Sequence, residues 1–352
     1  MCKRIFCVNK FLFFVFQLLA CSGISAQIQN LEAPKVTVGA VRMEEYLPFL
    51  NDKQVGFVVN QTSRVGKQYL VDTLFNLGIC VAKIFAPEHG FRGQADAGEG
   101  IAEAYDDRTG AVIASLYGKR RKPVQQDLEG LDVLVFDIQD VGARFYTYIS
   151  TMFYVMEACA EAGVAVLVLD RPNPNGHLVD GPVLDTRFSS FVGIAPLPIA
   201  HGCTVGELAL LFKGECWINQ GDKLNLKVIP CDHYNHQTPY DLPVAPSPNL
   251  PGTRSVLLYP SICLFEGSTC SVGRGTDWPF EVVGHPDFPV DSFYFVPKPT
   301  PGNKYPLHQD KVCKGWDFRG ISVDSLRHCR QINLSWFLDY YRDFPNKPEF
   351  FR

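Results

Sequence analysis

The sequence predicts an α/β protein, with a doubly wound parallel sheet followed by a smaller α+β part. Three observations carry this. Short, strongly apolar runs alternate with stretches of helical spacing. The runs are apolar throughout rather than at every second residue, the pattern of strands covered on both faces. After about residue 215 the texture changes, and proline and glycine become frequent, as in "LPVAPSPNLPG" and "FPVDSFYFVPKPTPG".

The elements follow in order. "VGFVVN" (Val55–Asn60) reads as a buried strand, and "YLVDTLFNLG" (Tyr69–Gly78) as a helix ending in glycine. "CVAKIFA" (Cys80–Ala86) is a second strand and "LDVLVFDI" (Leu131–Ile138) a third. "YISTMFYVMEACAEAG" (Tyr148–Gly163) has helical spacing, and "VAVLVLD" (Val164–Asp170) returns to strand. "LNLKVIP" (Leu224–Pro230) is one more strand. β-rich runs separated by helices are the signature of βαβ units. The expected division is 36–222 for the sheet-bearing domain and 223–352 for the smaller one.

The first 26 residues stand apart. Lys3, Arg4 and Lys10 precede "FLFFVFQLLAC" (Phe11–Cys21), a basic stretch followed by a short apolar core. This reads as a secretory signal; the apolar run is short for a bilayer-spanning helix. Cleavage is expected either at "LLAC", leaving Cys21 as a lipid-anchored first residue, or at "ISAQ", leaving Gln27. Either way the mature body is expected in the periplasm, soluble or tethered.

Of 352 residues 46% are hydrophobic and 20% charged, and the formal net charge is −4. No basic footprint for a nucleic acid is present. Twelve cysteines suggest a disulfide scaffold at first, but three lie in or at the end of the leader. The other nine are scattered, with no CxxC and no zinc spacing. Cys80 and Cys159 sit in apolar contexts and are expected to be buried.

Three predicted strands run into polar clusters: "PEHGFRG", "DIQDVGARFYTY" and "DRPNPNG". In an open parallel sheet the carboxyl ends share one edge, where ligands bind. Glu88, His89, Arg92, Asp137, Asp140, Arg144, Tyr146, Asp170, Arg171 and Asn173 are therefore expected along one cleft. Pro87 biases Ala86 to extended geometry, and Gly90 and Gly93 permit a tight turn. Each residue also has a structural alternative: Asp170 with Arg171 as an ion pair, Asp137 as a turn cap, Tyr146 as core. Farther along, "HGCTVGEL" places His201 before a helix with Thr204 as N-cap and Glu207 three residues on, a capping box. "PSPNLPG" holds Asn249 between prolines, and "LFEGSTCSVGRGTDWPFE" supplies Glu266, Arg274, Asp277, Trp278 and Glu281.

No GxGxxG follows the first strand, so no nucleotide cofactor is expected. HExxH and GxSxG are absent as well. What remains is acid–base chemistry by carboxylates.

Seven ordered blocks carry a resemblance: "PEHGFRG", "SLYG", "FDIQDVGARFYTY", "DRPNPNG", "HGCTVGEL", "PSPNLP" and "CLFEGSTCSVGRGTDWPFE". Together, from Val36 to Pro286, the sequence resembles the exo-β-N-acetylmuramidase NamZ family, glycoside hydrolases formerly known as a domain of unknown function. The resemblance implies a Rossmann-like domain, a smaller second domain and an active site in the cleft between them. It implies removal of N-acetylmuramic acid from the non-reducing ends of peptidoglycan fragments, with no cofactor. The family pattern has methionine where Cys203 stands and Asn-Leu at Thr269–Cys270. It also continues past the point where this chain stops, so the second domain is expected to be truncated.

On this reading the catalytic set is Glu88, His89, Asp140 and Glu266, with Glu88 as general acid. His89 either orients substrate and Glu88 or transfers the proton. The substrate-binding set is Arg92, Asp137, Arg144, Tyr146, Asn173, His201, Asn249, Arg274 and Asp277. Muramic acid carries a lactyl carboxylate, which an arginine fork can hold; Arg92, Arg144 and Arg274 are the candidates. Tyr146 and Trp278 are candidate platforms for a pyranose ring. Two other classes compete: a periplasmic sugar-binding protein without catalysis, and a metal-dependent hydrolase with His89, His201, Asp137 and Asp140 as ligands.

Overall fold

The computed structural model describes residues 35–87, 90–92, 104–118, 120–289, 292–300 and 302–352. Its main sheet has seven strands: β1 (Gln54–Val59), β2 (Cys80–Ala86), β3 (Ala104–Tyr105), β4 (Val112–Ser115), β5 (Val133–Asp137), β6 (Ala165–Leu169) and β7 (Leu226–Ile229). Their order is β7-β6-β5-β1-β2-β4-β3, all parallel except the β3 edge, which runs antiparallel to β4. The chain starts in the middle, builds outward to β4, then returns to β5 and builds the other way. That is the doubly wound topology the sequence predicts.

Both faces are covered. Val58, Phe136 and Val168 point into one core layer with the helices α2 (Tyr148–Ala162) and α3 (Val205–Gly214). Their strand neighbours Val59, Val135 and Leu167 point the other way, against α1 (Leu70–Asn76), Tyr46 and Leu50. The side-chain period of two thus buries every position of β5 and β6. α2 stops at Gly163, which takes a left-handed φ of 72°.

β7 pairs in register with β6, from Leu226 beside Val166 to Ile229 beside Leu169. The expected boundary at 222/223 therefore falls before a strand of the main sheet, and that sheet extends to Ile229. Beyond it lie α4 (Thr253–Ile262), α5 (Val323–His328) and α6 (Leu334–Asp343), with a three-stranded antiparallel sheet. Its strands are β8 (Val282–His285), β9 (Tyr294–Phe295) and β10 (Cys313–Asp317), in the order β8-β10-β9. This part has its own aromatic core; Phe288 stacks on Tyr340 with ring centroids 3.9 Å apart.

The nine cysteines of the described residues are all free thiols. Cys159 is buried as expected, but Cys80 is exposed, because it opens β2 at the sheet margin and donates to Gln54 Oε1 at 3.2 Å. Residues 1–34, which include Cys21, lie outside the described residues.

Candidate active site

The sheet order reverses between β1 and β5, so the crevice beyond their carboxyl ends is the switch point where an open α/β sheet binds ligands. Asn60 follows β1 there. Its Oδ1 accepts from Thr62 N–H at 2.9 Å and Thr62 Oγ1–H at 2.6 Å, while Thr62 Oγ1 accepts from Gln139 N–H at 3.0 Å. This ties the β1 exit to the β5 exit.

Asp137 closes β5 and is expected from the sequence to bind substrate. The structure corrects this. Its two oxygens accept from Arg171 Nε–H at 2.6 Å and Nη2–H at 2.8 Å, and both side chains are buried. A wholly buried carboxylate, held by a two-bond fork inside the core, is not presented to a sugar. Arg171 pairs with Asp137, not with its neighbour Asp170. Asp170 instead accepts from Thr204 Oγ1–H at 2.8 Å, Gly206 N–H at 2.7 Å and Arg171 N–H at 3.0 Å. Burial pushes its carboxyl up to about 6, opposed by those three donors. The Thr204–Glu207 capping box is present as predicted, with Glu207 N–H on Thr204 Oγ1 at 3.2 Å and Thr204 N–H on Glu207 Oε2 at 2.8 Å.

Asn173 is likewise structural. It donates to Cys203 O at 2.9 Å and accepts from Asn175 N–H at 2.8 Å. It fills the space beside Gly142 (φ 80°), where a Cβ would lie 2.4 Å from Asn173 Oδ1. Only glycine fits that approach. Asn249 is buried and donates to Gly302 O at 3.1 Å, pinning its own loop.

Asp140 and His201 come together. Gly142 N–H donates to Asp140 Oδ2 at 2.7 Å, and His201 Nε2 stands 3.3 Å from the same oxygen. His201 N–H in turn donates to Gly142 O at 3.2 Å. Both side chains are buried, yet Asp140 Oδ1 and both His201 ring nitrogens have no hydrogen-bond partner among the described residues. Asn60 Nδ2 is in the same condition. Native folds pair nearly all buried polar atoms, so a group of orphans at the switch point marks a place built for an incoming polar partner.

The three candidate arginines separate. Arg92 is ion-paired to Asp106 at 2.8 Å and Asp72 at 3.5 Å, and lies over the rings of Tyr69 and Phe91. With two carboxylates on its guanidinium it is a structural cation, not a substrate fork. Arg144 donates Nη1–H to the carbonyls of Pro182 (2.9 Å) and Leu197, which turns it onto the Pro182–Leu197 loop. Burial lowers its pKa. Arg274 donates Nε–H to Glu266 Oε1 at 2.8 Å. Burial works against the Arg274 charge, but Glu266, Tyr259 and Cys263 more than offset it and raise its pKa. Glu266 Oε2 accepts from the Cys263 thiol at 3.2 Å, and burial keeps that thiol protonated.

Glu266 and Arg274 form the wall between two adjoining pockets. One, about 200 Å³, is lined on the other sides by Tyr146, Tyr148, Ser247 and Tyr259. The second, about 280 Å³, lies against Ser271, Asn303 and Tyr305. Tyr146 stands edge-on to Tyr148 at 5.0 Å and to Tyr259 at 5.9 Å, and its hydroxyl donates to Pro246 O at 2.8 Å. Gln61, just past β1, donates to the same carbonyl at 2.9 Å, which connects this pocket to the sheet edge.

Asp277 is exposed and lines neither pocket; Trp278 is covered by Arg319, whose guanidinium carbon sits 3.9 Å from the ring centroid. The proposed sugar platform at Trp278 is thus occupied by an arginine. Glu88 and His89 lie outside the described residues; of their neighbours, Gly90 donates its N–H to Pro87 O at 3.0 Å and takes a φ of 75°. Among the described residues no group of three His, Cys, Asp or Glu side chains could hold a metal ion. The sequence reasoning missed Tyr148, Ser247 and Tyr259 as pocket residues. Tyr259 lies in the apolar helix α4, where nothing local distinguishes a lining tyrosine from a core one.

The family model described as exo-beta-N-acetylmuramidase NamZ, N-terminal, matches residues 55–254, and its C-terminal counterpart matches 257–352. The chain belongs to the NamZ family. The peptidoglycan beta-N-acetylmuramidase NamZ of Bacillus subtilis (strain 168) is 42% identical over 275 residues, which are 76% of this chain and 66% of that protein. The chain thus spans just under two thirds of the length of that relative. The crystal structure of a DUF1343 family protein from Bacteroides fragilis NCTC 9343 superposes with a TM-score of 0.83 at 44% identity, covering 91% of this chain and 86% of the other. A second such protein from the same strain gives 0.75 at 28% identity, over 88% and 83% of the two chains. The two NamZ models meet at α4, whose tyrosine lines the pocket, so both regions contribute to its walls: Tyr146 and Tyr148 from the first, Tyr259, Glu266 and Arg274 from the second.

Proposed function

We propose that this NamZ protein is an exo-acting glycoside hydrolase that releases N-acetylmuramic acid from the non-reducing ends of peptidoglycan fragments, in cell-wall turnover. The observation that carries the reading is the coverage of both lobes by the two NamZ models, with a tyrosine-walled, charged pocket where the two matched regions meet. Such a pocket suits a pyranose bearing a carboxylate: aromatic side chains pack on the ring, and hydroxyls and charge fix its orientation.

The reaction needs an acid to protonate the leaving oxygen and a second group to assist at the anomeric carbon. Glu88 is assigned the first role from its place after β2. For the second, Asp140 is favoured over Glu266. Asp140 keeps one buried oxygen without a partner among the described residues, whereas both oxygens of Glu266 are engaged. The basic, then apolar, N-terminus supports export to the periplasm, with a mature chain starting at Cys21, lipid-anchored, or at Gln27.

The test is incubation with the disaccharide N-acetylmuramyl-β-1,4-N-acetylglucosamine and detection of free N-acetylmuramic acid by mass spectrometry. Release of both monosaccharides is expected. Intact disaccharide at high enzyme concentration would refute the muramidase reading, and binding without cleavage would leave the sugar-binding alternative.

A further inference from the structure

We propose that Arg274 is the residue that reads the carboxylate of the substrate's terminal sugar, through its two terminal nitrogens. This rests on the functional reading above and deepens it.

Four observations converge. First, Arg274 lines both pockets, so its guanidinium is presented to whatever fills either. Second, its hydrogen bond to protein uses Nε alone, at 2.8 Å to Glu266; Nη1 and Nη2 have no hydrogen-bond partner among the described residues. The outer edge of a guanidinium offers two parallel N–H donors, which match the two oxygens of one carboxylate. Third, the group is held in place. Glu266 fixes the Nε side, Cys263 fixes Glu266, and the ring of Phe280 lies beneath, 5.0 Å from the guanidinium carbon. A fork held on one edge loses little rotamer freedom when the other edge engages. Fourth, the arginines of the polar clusters at the sheet edge are spent or turned away, and Arg352, which lines the second pocket, does not line the tyrosine-walled one. Arg92 is held by Asp106 and Asp72, Arg171 by Asp137, and Arg144 faces the carbonyls of Pro182 and Leu197 and lines neither pocket.

The geometry places the sugar ring among Tyr146, Tyr148 and Tyr259, with its acidic substituent extending toward Arg274. Glu266 then has two effects. It orients the fork, and its own negative charge, shared with Nε, excludes a carboxylate from that edge. An N-acetylhexosamine without an acidic substituent would leave the fork unpaired.

Two measurements test this on the full mature chain. The first is binding of N-acetylmuramic acid and of N-acetylglucosamine, by calorimetry, to the native protein, Arg274→Met and Arg274→Lys. The native protein is expected to prefer the acidic sugar by roughly tenfold to a hundredfold, the range for a charge-assisted pair. Arg274→Met should abolish the preference, with the acidic sugar losing far more affinity than the neutral one, and Arg274→Lys should restore part of it. The second is the ratio of kcat/KM for the two 4-nitrophenyl glycosides, which should collapse in Arg274→Met in the same way. Equal loss for both sugars would assign Arg274 a structural role and overturn the proposal, as would a preference that survives Arg274→Met. Selective binding through Arg274 with no turnover would sink the muramidase reading and leave Arg274 standing. A native protein that binds neither sugar would overturn both.

Discussion

Replacing Arg171 with methionine should cost about 3–5 kcal/mol of folding stability, the penalty for leaving one partner of a buried ion pair alone. The magnitude follows from the surroundings. Asp137 is wholly buried, Arg171 is 4% exposed, and two bonds of 2.6 and 2.8 Å join them. Methionine matches the arginine stem in bulk but donates nothing, so a carboxylate remains in the core between the ends of β1 and β6. Burial already raises the Asp137 pKa despite Arg171; without Arg171 it rises further. The sign is then fixed. A folded pKa above the unfolded one favours the native state below the unfolded pKa of ~3.9 and loses that advantage as pH rises through the folded value. The deficit of Arg171→Met should therefore be smaller at pH 5 than at pH 8. Urea unfolding followed by circular dichroism reads both effects as a drop in midpoint at constant slope. The companion is Asp137→Leu combined with Arg171→Met, which removes both charges and should be more stable than Arg171→Met alone. A loss below about 1 kcal/mol for the single variant, or additivity of the two singles, would refute the argument that this pair is a buried unit.

Other outcomes are expected. Glu88→Gln should fold and bind but lose on the order of 10²–10⁴ in turnover of a substrate with a poor leaving group; near-normal turnover would place the acid elsewhere. Asp170, with a folded pKa of about 6, should contribute stability below pH ~4 that is lost as pH rises through 6. The change is roughly 3 kcal/mol, and Asp170→Asn should flatten that part of the stability profile measured by chemical unfolding. Mass spectrometry of the protein from an exporting host should find an N-terminus at Cys21 with lipid or at Gln27; a retained Met1 would contradict the export reading.

The sheet was legible in the sequence because its strands are buried on both faces, and such strands are apolar at every position. β5 and β6 need no partner information to be recognised. β4 and β3 were not, being short and at the edge, where burial no longer dictates composition. The second lobe was opaque for a different reason. Its core is built from aromatic residues spread over segments rich in proline, and α4 contains Pro260, so no window shows a clean period. The polar clusters after β2, β5 and β6 were visible, but their roles were not. Sequence gives proximity to the sheet edge; it does not say which carboxylate an arginine will take. Arg171 beside Asp170 in the chain reaches Asp137 across the sheet instead, because successive residues at a strand end diverge while neighbouring strands stay roughly 5 Å apart. The same limit hid Arg92, whose partners are 14 and 20 residues away.

The loop after β5 links the orphaned polar atoms to the pocket. Gly142 O accepts from His201 N–H and Asp140 faces the His201 ring; Val141 and Ala143 enter the core of the second lobe; Tyr146 walls the pocket and α2 begins at Tyr148. A displacement of this loop therefore moves a carboxylate and an aromatic wall together. Its position is fixed from three sides: Asn175 donates to Val141 O at 2.8 Å, Ile199 O accepts from Arg144 N–H at 2.7 Å, and Tyr146 donates to Pro246 O. Asn175 also donates to Val256 O at 3.0 Å, in α4, so one amide joins the loop to the helix that carries Tyr259. Loss of that amide would leave two buried carbonyls without their donor, at about 1–3 kcal/mol each. It would also loosen the loop and α4 together. Asn175→Leu should therefore lower kcat/KM more than the loss of a distant core contact of equal stability would. If a variant of matched stability elsewhere in the first core, such as Met156→Ala, lowers kcat/KM equally, then the loop acts only through the stability of the fold.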